Sequence, residues 1–167
     1  MGTSGDTAEF AVDSIVRWFE RRDRTRFKDE RKILILCDGG GSNGSRVRNW
    51  KRQLQKKLAD RFGIEVMVCH DPPGTSKWNP IEHRLFSFIS LNWAGKPLHS
   101  LRRMTALIRG TVTQTGLTVK AAVLKGTYPL KVKVSDVEMS QLALTRRKIC
   151  PQWNHIIHSC SLDSSKK

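Results

Sequence analysis

The tightest constraint on the fold is an apolar run, Ile33-Leu34-Ile35-Leu36-Cys37, that ends on Asp38 and passes straight into Gly39-Gly40-Gly41-Ser42-Asn43-Gly44. A run this short between turn signals reads as a strand, and its lack of polar alternation predicts a strand buried on both faces of a parallel sheet. After the glycines, Val47, Trp50, Leu54 and Leu58 recur at helical spacing. Arg46, Arg48, Lys51, Arg52, Lys56, Lys57 and Arg61 cover the rest of that helix. Gly63 stops it, and Ile64 to Cys69 supplies a second strand. Strand, helix, strand over residues 33–69 is a β-α-β unit, which crosses over right-handed. The chain is therefore expected to be α/β.

The rest of the chain extends this frame. Asp6 with Glu9 predicts a capping box for a helix from Thr7 to Arg22, with Phe10, Ile15, Trp18 and Phe19 on its apolar face. Arg21, Arg22, Arg24, Arg26, Lys28, Arg31 and Lys32 then make a solvated basic connection. Past a loop from His70 to Trp78, Asn79 and Pro80 are placed to cap and open another helix, with Ile81, Leu85, Phe88 and Ile89 inward. A further helix is expected over Ser100 to Ile108, with Leu101, Met104 and Ile108 inward. Alternation of Leu117, Val119, Ala121 and Val123, and again of Leu130, Val132 and Val134, predicts a hairpin. Ser135 and Glu138 form a second capping box, and residues 161–167 read as a frayed tail. There is no internal repeat.

Charge narrows the partner. Lys and Arg number 30 against 15 acids, a formal net charge of +15 on 167 residues. With a pI near 10.3, a polyanion is the simplest partner, and nucleic acid is favoured over membrane. No apolar signal core opens the chain and no apolar stretch is long enough to span a bilayer, so cytoplasm or nucleoid is the expected location. Cys37, Cys69, Cys150 and Cys160 form no CxxC pair and read as reduced thiols. Cys150, His155, His158 and Cys160 could in principle hold zinc. Their spacing fits no common finger, and Trp153, Ile156 and Ile157 read as an ordinary packed strand, which is the preferred reading.

Two acids stand out. Open α/β sheets place ligands at the carboxyl ends of their strands, where Asp38 sits beside glycines that let a phosphate approach. Glu82 follows in Asn79-Pro80-Ile81-Glu82. Carboxylates holding two Mg²⁺ ions are a common device for phosphodiester cleavage, with Asp38 as bridging ligand and Glu82 completing the coordination of the second ion. The plainer readings are that Asp38 bonds the amides of its own loop and that Glu82 closes a capping box on Asn79. Gly39-x-Gly41-x-x-Gly44 also matches the dinucleotide fingerprint in spacing. Against that, Asp38 would repel a pyrophosphate, no ribose-binding acid ends the next strand, and the basic charge goes unexplained. A basic DNA-binding protein without catalysis explains the charge but leaves the acid-glycine loop without a purpose.

Longer strings carry a resemblance. Asp38-Gly-Gly-Gly-Ser-Asn-Gly-Ser-Arg46, Pro72-Pro-Gly-Thr-Ser-Lys-Trp-Asn79 and Ile81-Glu-His-Arg-Leu-Phe-Ser-Phe-Ile89 resemble the Rhodopirellula-type DDE transposase family of bacterial insertion elements. So do Asp6-Thr-Ala-Glu-Phe-Ala-Val12 upstream, and Thr115-Gly-Leu117, Lys133-Val-Ser-Asp136 and Trp153-Asn154 downstream. The resemblance implies an RNase H-like fold and a triad of acids binding two Mg²⁺ ions, with Mn²⁺ as a substitute. Asp38 would be the second acid and Glu82 the third. It implies cleavage of double-stranded DNA at the element's ends and joining of the 3′-hydroxyl to target DNA, by an enzyme that can oligomerise. The first acid belongs on an opening strand with no counterpart here, since Asp6 and Asp13 fall in the first helix. The expectation is an N-terminally truncated domain lacking its first strands and inactive alone: residues 1–97 as partial catalytic core, 98–160 as its extension, 161–167 as disordered tail. It would leave an unpaired, apolar edge on the Ile33 strand.

Further residues invite roles. Lys77 and Trp78 could contact a phosphate and stack on a base, although a loop Trp is as often a core plug. Arg46 and Arg48 sit in a first helical turn, where the dipole disfavours cations and a DNA phosphate would rationalise them. Asn43 could orient a phosphate or simply take a left-handed turn. His83 has no assigned role. Gly5 and Asp71 depart from the family pattern, and Asp71 adds an acid near the loop.

Overall fold

In the computed structural model the described residues are Met1 and Gly2, 4–21, 30–72 and 74–160. Most of the basic connection and the expected tail lie outside them. In chain order the elements are α1 (Ala8–Arg21), β1 (Lys32–Cys37), α2 (Arg48–Leu54), α3 (Asp60–Phe62), β2 (Glu65–His70), α4 (Ser87–Trp93), α5 (Leu101–Arg109), α6 (Asp136–Ser140), β3 (Leu144–Arg146) and β4 (His155–Ile157). A π turn over Gln55–Ala59 joins α2 to α3, and another over Glu82–Phe86 leads into α4. The chain forms two compact units, residues 4–73 with 128–167, and residues 1–3 with 74–127.

The first unit is α/β, built on a mixed sheet of order β1-β2-β4-β3. β1 and β2 pair in parallel, as their connection requires, from Lys32 opposite Glu65 to Cys37 opposite His70. β4 runs antiparallel between β2 and β3, with Ile157 opposite both Val66 and Leu144. Val66, Val68 and Ile157 form one core cluster with Val12, Val16 and Phe19 of α1 and with Trp50, Leu54 and Leu58 of the following helical stretch. Each fully buried aliphatic side chain contributes about 1.5–3 kcal/mol. Gly63 ends that stretch in the left-handed conformation, φ 61°, as its position predicts.

Several expectations need correction. Leu34 and Leu36 are 57% and 64% exposed, so β1 is an edge strand covered on one face only, the face of Ile33, Ile35 and Cys37. An unbroken apolar run marks a strand without saying whether a layer covers its second face. The cap of α1 is Thr7, whose Oγ1 accepts from the Phe10 amide at 3.2 Å. Asp6 instead accepts from the Ser42 hydroxyl, and Glu9 and Asp13 both receive Lys57, at 2.8 and 2.7 Å. The buried face of α1 is Ala8, Val12, Val16 and Phe19, while Trp18 points to solvent at 57% exposure. By contrast, the Ser135–Glu138 capping box forms with bonds in both directions.

In the second unit, α4 and α5 meet through Asn92, whose Nδ2 donates to the Leu107 carbonyl at 2.6 Å. Of the expected inward face before and within α4, only Ile89 is buried; Ile81 and Phe88 are exposed. Ser100 caps α5 by accepting from the Arg103 amide. The hairpin expected over residues 117–134 does not form. Val119 to Val134 contain no ladder, and the bridges here join Val112 to Thr118 and Gly2 to Leu124. The backbone around Ala122 and Leu124 is satisfied by Met1 instead, at 2.9 and 2.8 Å.

Candidate functional site

Asp38 lies one residue past the end of β1. Its carboxylate is exposed and makes no hydrogen bond or ion pair among the described residues. The Asp71 amide bonds the Cys37 carbonyl at 2.8 Å, so Asp38 and Asp71 leave the same end of two adjacent parallel strands. Between them Cys37 is buried. Desolvation, reinforced by the charge of Asp38, pushes its thiol up to about 12. Cys37 is therefore a packed thiol and neither a nucleophile nor a thiolate ligand.

The glycine loop folds back tightly. Gly41 has φ +70°, opening a 3-10 turn that ends at Asn43, and the Gly44 amide returns to the Gly41 carbonyl at 3.4 Å. A Cβ on Gly44 would lie 3.4 Å from the carbonyl oxygens of both Gly39 and Gly41, in van der Waals contact with the loop's own backbone. The left-handed residue is Gly41 rather than Asn43. The loop borders a cavity of about 280 Å³ lined by Gly39, Gly40, Gly41, Gly44, Arg46 and Trp153, with Ser45 and Val47 completing it.

One buried side chain braces this loop. His70, the last residue of β2 and 4% exposed, places Nε2 2.8 Å from the Asn43 carbonyl and Nδ1 2.9 Å from the Trp153 carbonyl. A neutral imidazole carries a single N–H, so both contacts are hydrogen bonds together only when the ring is protonated. His155 of β4 stacks on it, ring centroids 6.0 Å apart, and burial lowers its pKa to about 4, helped by Lys51, His70 and Arg146. His70 and Trp153 are the residues that sequence reasoning missed as parts of the site. The sheet order that puts residues 150–157 beside β2 leaves no local signal for them.

The cations divide. Arg46 lines the cavity, is exposed, and has no partner among the described residues. Arg48 has its anion within the protein: it pairs with Asp136 at 2.7 Å and donates to the Val134 carbonyl at 3.1 Å, which answers the dipole penalty without DNA. Its neighbour Arg52 reaches Glu138 at 2.6 Å.

In the other unit, Trp78 is 66% exposed and so not a core plug, and Lys77 beside it is exposed in the same 3-10 turn. Asn79 caps the helical turn by accepting from the Ile81 amide at 3.2 Å. Glu82 returns no bond to Asn79, so the expected capping box is absent and its exposed carboxylate is free among the described residues. His83 places Nε2 3.2 Å from the Lys77 carbonyl. Cys150, His155, His158 and Cys160 do not assemble as ligands. Among the described residues no group of three or more His, Cys, Asp or Glu gathers to hold a metal, and the cysteines form no disulfide with one another.

The family model for the Rhodopirellula transposase DDE domain matches residues 1–159. The chain belongs to this family. No curated protein and no solved structure matches it. Membership establishes a transposase-related role, and the family works with divalent metal ions. Among the described residues, no helix of this DDE domain is long and apolar enough to cross a membrane. The donors fit a hard cation by chemistry: Asp38 and Glu82 offer exposed carboxylate oxygens that pair with no cation among the described residues.

Proposed function

We propose that Asp38 and Glu82 are the second and third acids of a DDE centre that cleaves double-stranded DNA and transfers the freed strand during transposition of an insertion element. The observation that carries this is the uncompensated carboxylate of Asp38 beside a glycine loop at the end of β1, in a chain of net charge +15. On this reading the fold is a form of the RNase H-like architecture. Residues 1–97 carry the acids and 98–160 extend them, a functional division that cuts across the two compact units.

Asp38 and Glu82 would hold Mg²⁺ or Mn²⁺, with water and DNA phosphates filling the remaining positions. The ions would supply an activated attacking oxygen and a stabilised leaving oxygen. The protein's own part is to leave both carboxylates exposed. Arg46, Lys77 and Trp78 would hold the DNA, with Asn43 shaping the loop and Arg48, already paired with Asp136, contributing least. DNA as partner would place the protein at the nucleoid.

The test is joining of labelled element ends to plasmid DNA by wild type, Asp38→Asn and Glu82→Gln with Mg²⁺ or Mn²⁺, alongside duplex affinity. Loss of metal-dependent chemistry at preserved affinity supports the proposal. Chemistry that survives both substitutions refutes it. A second reading, DNA binding without catalysis, draws on the absence of a three-ligand cluster among the described residues. It predicts tight, salt-sensitive duplex binding and no chemistry in any variant.

A further inference from the structure

We propose that the cavity between the glycine loop and Trp153 is a binding pocket for a single unstacked nucleotide, its base against Trp153 and its phosphate against the loop and Arg46. This deepens the transposase reading by naming a subsite for the DNA it acts on.

Gly40 carries the first part of the case. Its backbone, φ −119° and ψ −175°, suits any residue, and a Cβ there meets nothing within 4 Å. Neither strain nor packing within the protein calls for glycine at that position. Gly40 lines the cavity, and a glycine there lets a ligand reach the backbone. At Gly44, by contrast, a Cβ would touch the Gly39 and Gly41 carbonyls.

The lining carries the second part. Arg46 brings a cation with no anion partner among the described residues, and Trp153 brings an indole, the pairing that fits a phosphate and a base. About 280 Å³ is close to the lower end of small-ligand pockets, room for one nucleotide rather than a duplex. Construction is the third. The buried His70 ring lies 2.8 and 2.9 Å from the carbonyls of Asn43 and Trp153, so the loop and the Trp153 turn rest against one side chain at the end of β2.

The same chemistry could serve a strand of DNA or a free dinucleotide such as NAD, and the test separates them. Short single-stranded oligonucleotides carrying 5-iododeoxyuridine are photocrosslinked to the full chain, the site is mapped by mass spectrometry, and affinities are read by fluorescence anisotropy. Crosslinking at Trp153 is expected. Trp153→Ala and Gly40→Val should each weaken oligonucleotide binding about tenfold, the loss of roughly one stacked base. Because Trp153 meets His70 through its backbone carbonyl, Trp153→Ala keeps that brace, and circular dichroism checks both variants for folding. Binding is read in EDTA, without divalent metal, so a failed catalytic reading leaves this result standing. Crosslinks elsewhere with wild-type affinity in both variants would overturn the proposal. Displacement of the bound oligonucleotide by NAD at concentrations well below the oligonucleotide's own Kd would overturn it too.

Discussion

Replacing His155 by Leu isolates the most strongly shifted base in the structure. His155 is 3% exposed, its Nε2 has no partner, and burial, with smaller contributions from Lys51, His70 and Arg146, lowers its pKa to about 4 from 6.5. The sign follows directly. Below pH 6.5 the unfolded chain takes up a proton that the folded chain refuses until pH is near 4. Stability from the neutral ring is therefore complete above 6.5 and lost progressively as pH falls through that window. A gap of roughly 2.5 pH units at ~1.36 kcal/mol each sets a ceiling of about 3 kcal/mol. Leu cannot titrate and removes a buried orphan nitrogen, so the variant should match or exceed wild type at pH 7.5. Urea unfolding at pH 7.5, 6.5, 5.5 and 4.5 gives the two slopes, with shared carboxylate effects cancelling between them. Equal loss of stability with pH in both proteins would refute the burial argument.

Other perturbations read other parts of the structure. Gln55 is buried in the π turn, donates to the His158 carbonyl at 2.7 Å and to Asp60 at 2.8 Å, and accepts from the Ala143 amide at 3.1 Å. Gln55→Leu removes the bonds to the Ala143 amide before β3 and the His158 carbonyl after β4 and should cost about 3 kcal/mol in urea unfolding. Arg46→Ala should lower duplex DNA affinity and reduce the salt slope by about one without changing stability. Arg48→Ala should cost at most about 1 kcal/mol of stability, because its ion pair with Asp136 is at the surface. Iodoacetamide at pH 8 should modify Cys150, which is exposed, and leave Cys37 untouched in the folded chain, as peptide mass mapping would show.

Legibility in the sequence followed the length of each element. α1, β1, β2 and the helical stretch beginning at α2 carry enough periodic residues for the pattern to mark them, and the β-α-β order alone implied the parallel pairing. β3 spans only Leu144–Arg146, too short for any period to register, so the mixed character of the sheet was hidden. Alternation at Val119-Ala121-Val123 misled because an extended segment alternates whether or not a partner strand pairs with it. Periodicity also could not tell that Leu34 and Leu36 lack a covering layer. At the site, Asp38 and the glycines were legible because their spacing is local. His70, Trp153 and Gln55 were not, because the contacts His70–Asn43, His70–Trp153 and Gln55–His158 join residues 27, 83 and 103 apart in the chain.

The central claim is that Asp38 and Glu82 share divalent metal. A crystal structure of the protein with Mn²⁺ and element-end DNA, read by manganese anomalous scattering, tests it most directly. The account predicts manganese peaks about 2.0–2.4 Å from carboxylate oxygens of both residues, removed by Asp38→Asn. Peaks on neither residue, or a Glu82 that takes no part in the metal's coordination, would contradict it.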